Sequence, residues 1–237
     1  MTDLLYQTDA YLKEFDAVVT GLDAEKHGVL LDRTAFYPGG GGQPNDLGEM
    51  YAGDTVYKLA KVEKGNVHII DGGDLPVVGT KVHGVLDWDR RYKLMRTHTA
   101  MHILCGVVWR DYGASVTGGN MEPLEGRMDF EFERMQKELV TEIEQKINAE
   151  IAAAREVRVK ILPRAEAFAI PDLIRTKVNL VPEGIPEIRT LEIVGLDLQA
   201  DGGTHVANTR EVGHMRVTDY KSKGGINKRI YVAIEDA

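Results

Sequence analysis

Arg96-Thr-His98-Thr-Ala-Met-His102-Ile-Leu104 places two histidines four residues apart in a stretch of helical periodicity. On a helix, side chains at i and i+4 stand one above the other on the same face. Both imidazoles can therefore reach one metal ion, as in zinc sites whose paired histidines share a helix. The competing use of such a pair is a helix face with one histidine hydrogen-bonded and the other in water. About a hundred residues further on, Gln199-Ala-Asp201-Gly-Gly-Thr-His205 offers a carboxylate and a third imidazole from a loop. Four convergent donors shift the balance toward the metal.

The helix that carries the pair reads from Asp89 to Tyr112, through Leu94, His98, Met101 and Cys105, with Gly113 placed as its C′ stop. Before it the text consists of short strands: Ala17–Thr20, Gly28–Thr34, Val56–Val62, Val67–Ile70 and Val82–Asp87, punctuated by Gly, Asp and Asn. Five or six strands in about seventy residues predict a small barrel. After the helix come strands at Ala114–Thr117 and Arg127–Phe132. A second helix follows from Met135 to Ala154, with Leu139, Ile143, Ile147 and Ile151 at four-residue steps. Strands at Val157–Leu162, Ile188–Val194, Gly213–Thr218 and Arg229–Ile234 complete a mainly antiparallel set. Strands and helices without strict βαβ alternation predict an α+β fold. The expected division is a barrel-like domain over 1–88 and an α+β metal-binding domain over 89–237. No repeat and no low-complexity tract interrupts the chain.

A net charge of −8 over 237 residues argues against nucleic-acid binding by bulk electrostatics alone. Local basic surface is compatible with it. Arg90, Arg91, Lys93 and Arg96 form one cluster, and Lys221, Lys223, Lys228 and Arg229 another, each either a solvated face or a phosphate contact. The single cysteine, Cys105, excludes an internal disulfide. The opening residues resemble no signal peptide, and no apolar run approaches the roughly 18 residues of a membrane span. These features predict a cytoplasmic protein.

One further loop stands out in the barrel region: Thr34-Ala-Phe-Tyr-Pro-Gly-Gly-Gly-Gly-Gln43-Pro. Four consecutive glycines, Gly39 to Gly42, cost backbone entropy and imply close approach of a ligand or of another backbone segment, or else a plain flexible turn. The loop lacks the lysine and hydroxyl residue of a phosphate-binding P-loop. Thr34 and Gln43 offer uncharged polar groups that suit a small hydroxyl or carbonyl.

Together Thr34–Pro44, His98-Thr-Ala-Met-His102, Gly202-Gly-Thr-His205 and Gly224-Gly-Ile-Asn-Lys-Arg-Ile resemble the editing region of alanyl-tRNA synthetase. They resemble still more closely its free-standing relatives, the AlaX-type trans-editing proteins, and the resemblance runs from about residue 15 onward. It implies a glycine-motif barrel joined to an α+β zinc domain, and hydrolysis of the ester joining serine to alanine tRNA, with glycine esters a further candidate. It implies one zinc ion per chain held by His98, His102, Asp201 and His205. It also implies a pocket shaped by Thr34, Gln43, Gly40, Gly41 and Gly42, and a mischarged alanine tRNA as partner, with Lys228 and Arg229 on its phosphates. Asp201 is a departure, because many members have cysteine there. Either its carboxylate ligates the metal at roughly 2.0–2.2 Å, or three histidines and a water do. A non-catalytic module that binds the tRNA acceptor end is the alternative reading. A zinc deaminase would need a glutamate beside the first histidine and a Pro-Cys-x-x-Cys run, whereas Thr99 follows His98 and no cysteine pair exists.

Overall fold

The computed structural model describes residues 2–133, 136–179 and 181–236. By internal contacts the chain divides into two compact units, Met1–Lys93 and Leu94–Ala237.

In the first unit, alternation in the sequence becomes a barrel. Two-residue strands β1 (Asp3–Leu4) and β4 (Arg33–Thr34) pair in parallel beside it. The barrel itself is built from β2 (Glu14–Asp23), β3 (Gly28–Leu31), β5 (Gly48–Ala52), β6 (Thr55–Glu63), β7 (Val67–Ile70) and β8 (Lys81–Leu86). It closes in the order β2-β3-β7-β6-β5-β8. Phe15, Ala17 and Val19 of β2 point inward at every second position, as the strand period requires. They pack with Val29, Leu31, Phe36, Met50, Leu59, Val62 and Val82. Closure removes the exposed strand edges that an open sheet of this size would present. The expected barrel is therefore present, with one strand that the sequence pattern does not announce. Gly48-Glu-Met-Tyr-Ala has weak β propensity at both ends and buries only Met50. It becomes a strand because β6 and β8 both pair with it.

The glycine run is a built turn. Gly40 and Gln43 exchange both backbone hydrogen bonds, at 3.0 and 2.9 Å. Gly41 and Gly42 between them have φ of +59° and +91°, the two left-handed positions of a type I′ turn. A side-chain-bearing residue adopts those angles only with strain.

Arg91 anchors the same loop. Its Nε donates to both Asp46 oxygens at 2.9 and 3.0 Å, and Nη2 completes the ion pair. The guanidinium also donates to Ala10 O at 3.0 Å and Ala35 O at 2.6 Å. Asp46 Oδ2 in turn accepts the Tyr37 N–H at 2.6 Å. Both partners are buried, Arg91 at 0 % exposure and Asp46 at 1 %. The first basic cluster is thus neither a solvated face nor a phosphate contact as a whole. Arg91 is an internal tie, and so is Arg96, whose Nε and Nη2 donate to Val212 O at 3.1 and 2.9 Å.

Helix α1 (Trp88–Tyr112) begins where Asp87 Oδ1 accepts the Arg90 N–H at 3.1 Å, an N-cap. It ends at Gly113, whose φ of +63° and N–H to Trp109 O make the expected C′ stop. In the second unit one sheet runs β14 (His214–Ser222), β15 (Asn227–Glu235), β10 (Glu125–Glu131), β9 (Val116–Glu122). The other runs β11 (Val157–Pro163), β12 (Glu187–Ile193), β13 (Asp197–Ala200). The strands of both sheets pair antiparallel, as expected for the α+β reading. Helix α2 (Lys137–Ala152) buries Val140, Ile143, Ile147 and Ile151. Its expected start at Met135 lies outside the described residues. A short helix, α3 (Arg164–Phe168), follows β11. Among the described residues no helix is long and apolar enough to cross a membrane.

Candidate metal centre

The spacing of His98 and His102 on α1 does what helical geometry dictates: their ring centroids lie 5.1 Å apart. Burial surrounds that segment, for Leu94, Met95, Ala100, Ile103 and Leu104 are fully enclosed. The remaining two groups arrive from the end of β13. Asp201 is held at its backbone by Arg189, with Asp201 N–H to Arg189 O at 3.1 Å and Arg189 Nη1 to Asp201 O at 2.9 Å. His205 is fixed by its neighbour, since the Val206 N–H donates to Thr99 Oγ1 on α1 at 3.1 Å. Thr99 lies between the two helix histidines, so α1 positions three imidazoles at once.

One ligand atom from each of His98, His102, Asp201 and His205 falls within 4.8 Å of the others. Asp201 Oδ2 is 3.5 Å from His98 Nε2 and 3.7 Å from His102 Nε2, and Oδ1 is 3.5 Å from His205 Nε2. A tetrahedral site with metal–ligand distances of about 2.0–2.2 Å has edges of about 3.3–3.6 Å. The Asp201 separations are close to that edge, and the four donors together span up to 4.8 Å. Asp201 Oδ1 also accepts the Gly203 N–H at 2.7 Å, which steadies the carboxylate in its loop.

The chemistry of the donors fits a cation. Burial pushes His98 down to about 4 and His205 well below the ordinary imidazole value, so both are neutral, the ligating form. At His102 burial is outweighed by the Asp197 and Asp201 carboxylates, which raise it to about 9, so this ring ligates by giving up its Nε2 proton to the incoming cation. Burial opposes ionisation of Asp201, yet the imidazoles around it, of which His102 carries the charge, hold it well below the carboxylate range. Both ring nitrogens of His205 are buried and without a hydrogen-bond partner among the described residues. Leaving a buried polar group unsatisfied costs about 1–3 kcal/mol, and a metal ligated by that ring removes the cost at one of the two nitrogens. The three histidines and Asp201 therefore fit a zinc-type ion.

The sequence motif that singled out these four did not reveal what supports them. Asp197 Oδ2 lies 3.0 Å from His102 Nδ1, and Gln199 Nε2 donates to the same oxygen at 2.6 Å. Asp197 and Gln199 alternate along β13 and so share a face, and Asp201 follows at the same spacing just past the strand's end. That period-two pattern is the signal in the sequence.

The glycine-loop candidates lie in the first unit. Thr34 is fully buried; its Oγ1 accepts the Phe36 N–H at 3.1 Å and lies 2.9 Å from His68 Nε2. His68 is held down to about 4 by burial and is neutral. Its Nδ1–H donates to Val29 O at 3.3 Å, so Nε2 accepts from the Thr34 hydroxyl. One acceptor lone pair of Thr34 then remains. Gln43 is buried, Gly40 and Gly41 are exposed, and Gly42 is half-buried. In the second basic cluster Lys228 is buried with its Nζ on Gly225 O, and Arg229 grips Asp129, its cross-strand partner, at 2.6 and 2.7 Å. Lys221 and Lys223 are exposed.

Residues 188–231 match the threonyl and alanyl tRNA synthetase second additional domain, and residues 5–90 match tRNA synthetases class II (A). The chain is 40 % identical to the alanyl-tRNA editing protein AlaX-M of Saccharolobus solfataricus over 99 % of its own length and 100 % of that protein's. It is 36 % identical to the AlaX-M protein of Methanosarcina mazei over 100 % and 98 % of the two chains. An alanine–tRNA ligase of Ignicoccus hospitalis is 38 % identical over 98 % of this chain, which corresponds to 26 % of the ligase. The chain belongs to the AlaX-M family of alanyl-tRNA editing proteins.

Proposed function

We propose that the protein is a zinc-dependent trans-editing hydrolase that cleaves the aminoacyl ester of mischarged Ser-tRNA(Ala) and spares Ala-tRNA(Ala). The observation that carries this reading is the buried cluster of three imidazoles and a carboxylate, in a chain similar over its length to alanyl-tRNA editing proteins. A zinc ion there supplies Lewis acidity toward the ester, or an anchor for the amine or hydroxyl of the aminoacyl group. His98, His102, Asp201 and His205 hold it. The experiment is deacylation of Ser-, Gly- and Ala-charged alanine tRNA by the purified protein. Fast loss of serine with retention of alanine supports the reading. Tight tRNA binding with no deacylation leaves the acceptor-end binding module.

Discrimination rests on one hydroxyl. A site built to hydrogen-bond a substrate hydroxyl rejects the analogue lacking it by roughly 10⁴–10⁵. Thr34 is the proposed reader, with Gln43 and the Gly40–Gly42 turn shaping the pocket. Because His68 takes the Thr34 proton and Phe36 N–H takes one lone pair, Thr34 is left to accept from the serine hydroxyl, which alanine lacks. Thr34→Val, nearly isosteric, should lower the ratio of Ser- to Ala-tRNA deacylation by about tenfold or more, equivalent to about 1.4 kcal/mol. An unchanged ratio assigns the reading to another residue.

The hairpin β14–β15 is the proposed tRNA contact. Lys228 and Arg229 reach phosphate only by releasing Gly225 O and Asp129, whereas Lys221 and Lys223 stand in solvent. Each phosphate contact removed should flatten the plot of log affinity against log salt by about 0.7–0.9. Lys228→Ala with Arg229→Ala, and Lys221→Ala with Lys223→Ala, are expected to show that loss, and parallel salt series for both pairs would clear the hairpin of phosphate contact.

A further inference from the structure

We infer that Asp197 is a positioning residue of the metal site: it fixes the proton of His102 on Nδ1 and thereby turns Nε2 toward the ion. The inference rests on the metal reading above and concerns a residue outside the ligand set. Its geometry is explicit. Asp197 Oδ2 lies 3.0 Å from His102 Nδ1, while His102 Nε2 is the atom that faces Asp201 Oδ2 at 3.7 Å. An imidazole that donates through one nitrogen presents the lone pair of the other. A carboxylate accepts only, so the hydrogen on Nδ1 has one place to go.

The neighbours leave no second arrangement. Gln199 Nε2 lies 2.6 Å from Asp197 Oδ2, 3.3 Å from Cys105 Sγ and 3.3 Å from His102 Nδ1. An amide nitrogen has two hydrogens. With one on Asp197 and one on Cys105, none is left for His102, whose Nδ1 must then be the donor. Asp197 is itself anchored, with its side chain at 0 % exposure and the Arg175 Nε 3.6 Å from Oδ1. The Arg175 guanidinium lies over the Trp109 ring at 4.7 Å and supplies a fixed positive charge behind the carboxylate. Neither Asp197 Oδ1 nor Arg175 Nε has a hydrogen-bond partner among the described residues, so the ion pair is what accounts for these two buried charges facing one another. The chain Trp109, Arg175, Asp197, His102 therefore runs from the side of α1 to the ligand. A partner that orients a ligating histidine is typically worth about 10–100-fold in metal affinity.

The test is zinc affinity by competition with a chelator, for the wild type, Asp197→Asn and Asp197→Glu, alongside the melting temperature of each metal-free protein. Asp197→Asn can turn its amide toward Nδ1 and favour the wrong tautomer. It should bind zinc about 10–100-fold more weakly with an unchanged metal-free melt, and Asp197→Glu should recover part of the loss. A second measurement needs no variant: imidazole ¹⁵N spectra of the zinc-loaded wild type should show His102 coordinated through Nε2 with a slowly exchanging proton on Nδ1. Asparagine binding zinc as tightly as the wild type, or coordination through Nδ1, overturns the assignment. Should Asp197→Asn fail to fold, the wild-type spectrum decides alone. A wild type that takes up no zinc defeats the metal reading itself, and the same spectrum of that protein, lacking a hydrogen-bonded Nδ1 proton, would defeat the role of Asp197 separately.

Discussion

His98→Ala is expected to purify with almost no bound zinc and to lose at least about 100-fold in Ser-tRNA deacylation. Lewis-acid stabilisation of a developing charge supplies several kcal/mol, and about 1.4 kcal/mol corresponds to tenfold in rate. The alanine also leaves a buried void beside His205, whose ring stacks on His98 at 4.2 Å. The readouts are metal content and rate in the same preparation. Asp201→Cys is the informative companion. A thiolate in place of the carboxylate keeps the formal charge and adds softness, so zinc should be retained and preferred more strongly over manganese or cobalt. Asp201→Ala removes the one anionic ligand and should weaken binding. Undiminished zinc in His98→Ala would place the metal elsewhere.

The second large effect is on stability. Asp46→Ala should destabilise the first unit by about 3–5 kcal/mol, the cost of leaving a buried charge without its partner. Arg91 has no route to water, being 0 % exposed. Its Nε would lose both Asp46 oxygens, Nη2 would keep only Ala35 O, and Nη1 its bond to Ala10 O. Tyr37 N–H would lose its acceptor as well. Denaturant unfolding measures the change. A loss below about 1 kcal/mol would mean that the pair behaves as an exposed salt bridge does. The double variant Asp46→Leu with Arg91→Met should recover stability relative to Asp46→Ala, since apolar groups of similar volume can replace a buried pair without penalty.

The misreading of Arg91 shows where a sequence stops informing. Four cations within seven residues look like a polar face, and local pattern contains nothing to contradict it. What buries Arg91 is Asp46, forty-five residues earlier, and a long-range pair leaves no periodic trace. Helix α1 was legible because its signals are local: the i, i+4 histidines, the apolar repeat and Gly113 at its end. The four ligand candidates were legible for the same reason, as each pair sits within one short motif. Their supports were not. Asp197 and Gln199 lie on a four-residue strand too short to stand out, and Arg175 comes from a loop. Strand β5 escaped because pairing on both sides, and not composition, makes it a strand. The glycine run was visible, but whether it formed a loose or a tight turn depended on the reciprocal bonds of Gly40 and Gln43.

The central claim, that ester hydrolysis runs at the histidine–aspartate cluster, is tested most directly by stripping and restoring the metal. The wild-type protein is treated with a strong chelator, freed of it, and assayed on Ser-tRNA(Ala) before and after addition of one equivalent of zinc. The account predicts that deacylation falls at least about 100-fold on stripping and returns with zinc, while Ala-tRNA(Ala) stays intact throughout. Full activity in protein shown by metal analysis to hold no zinc would contradict it.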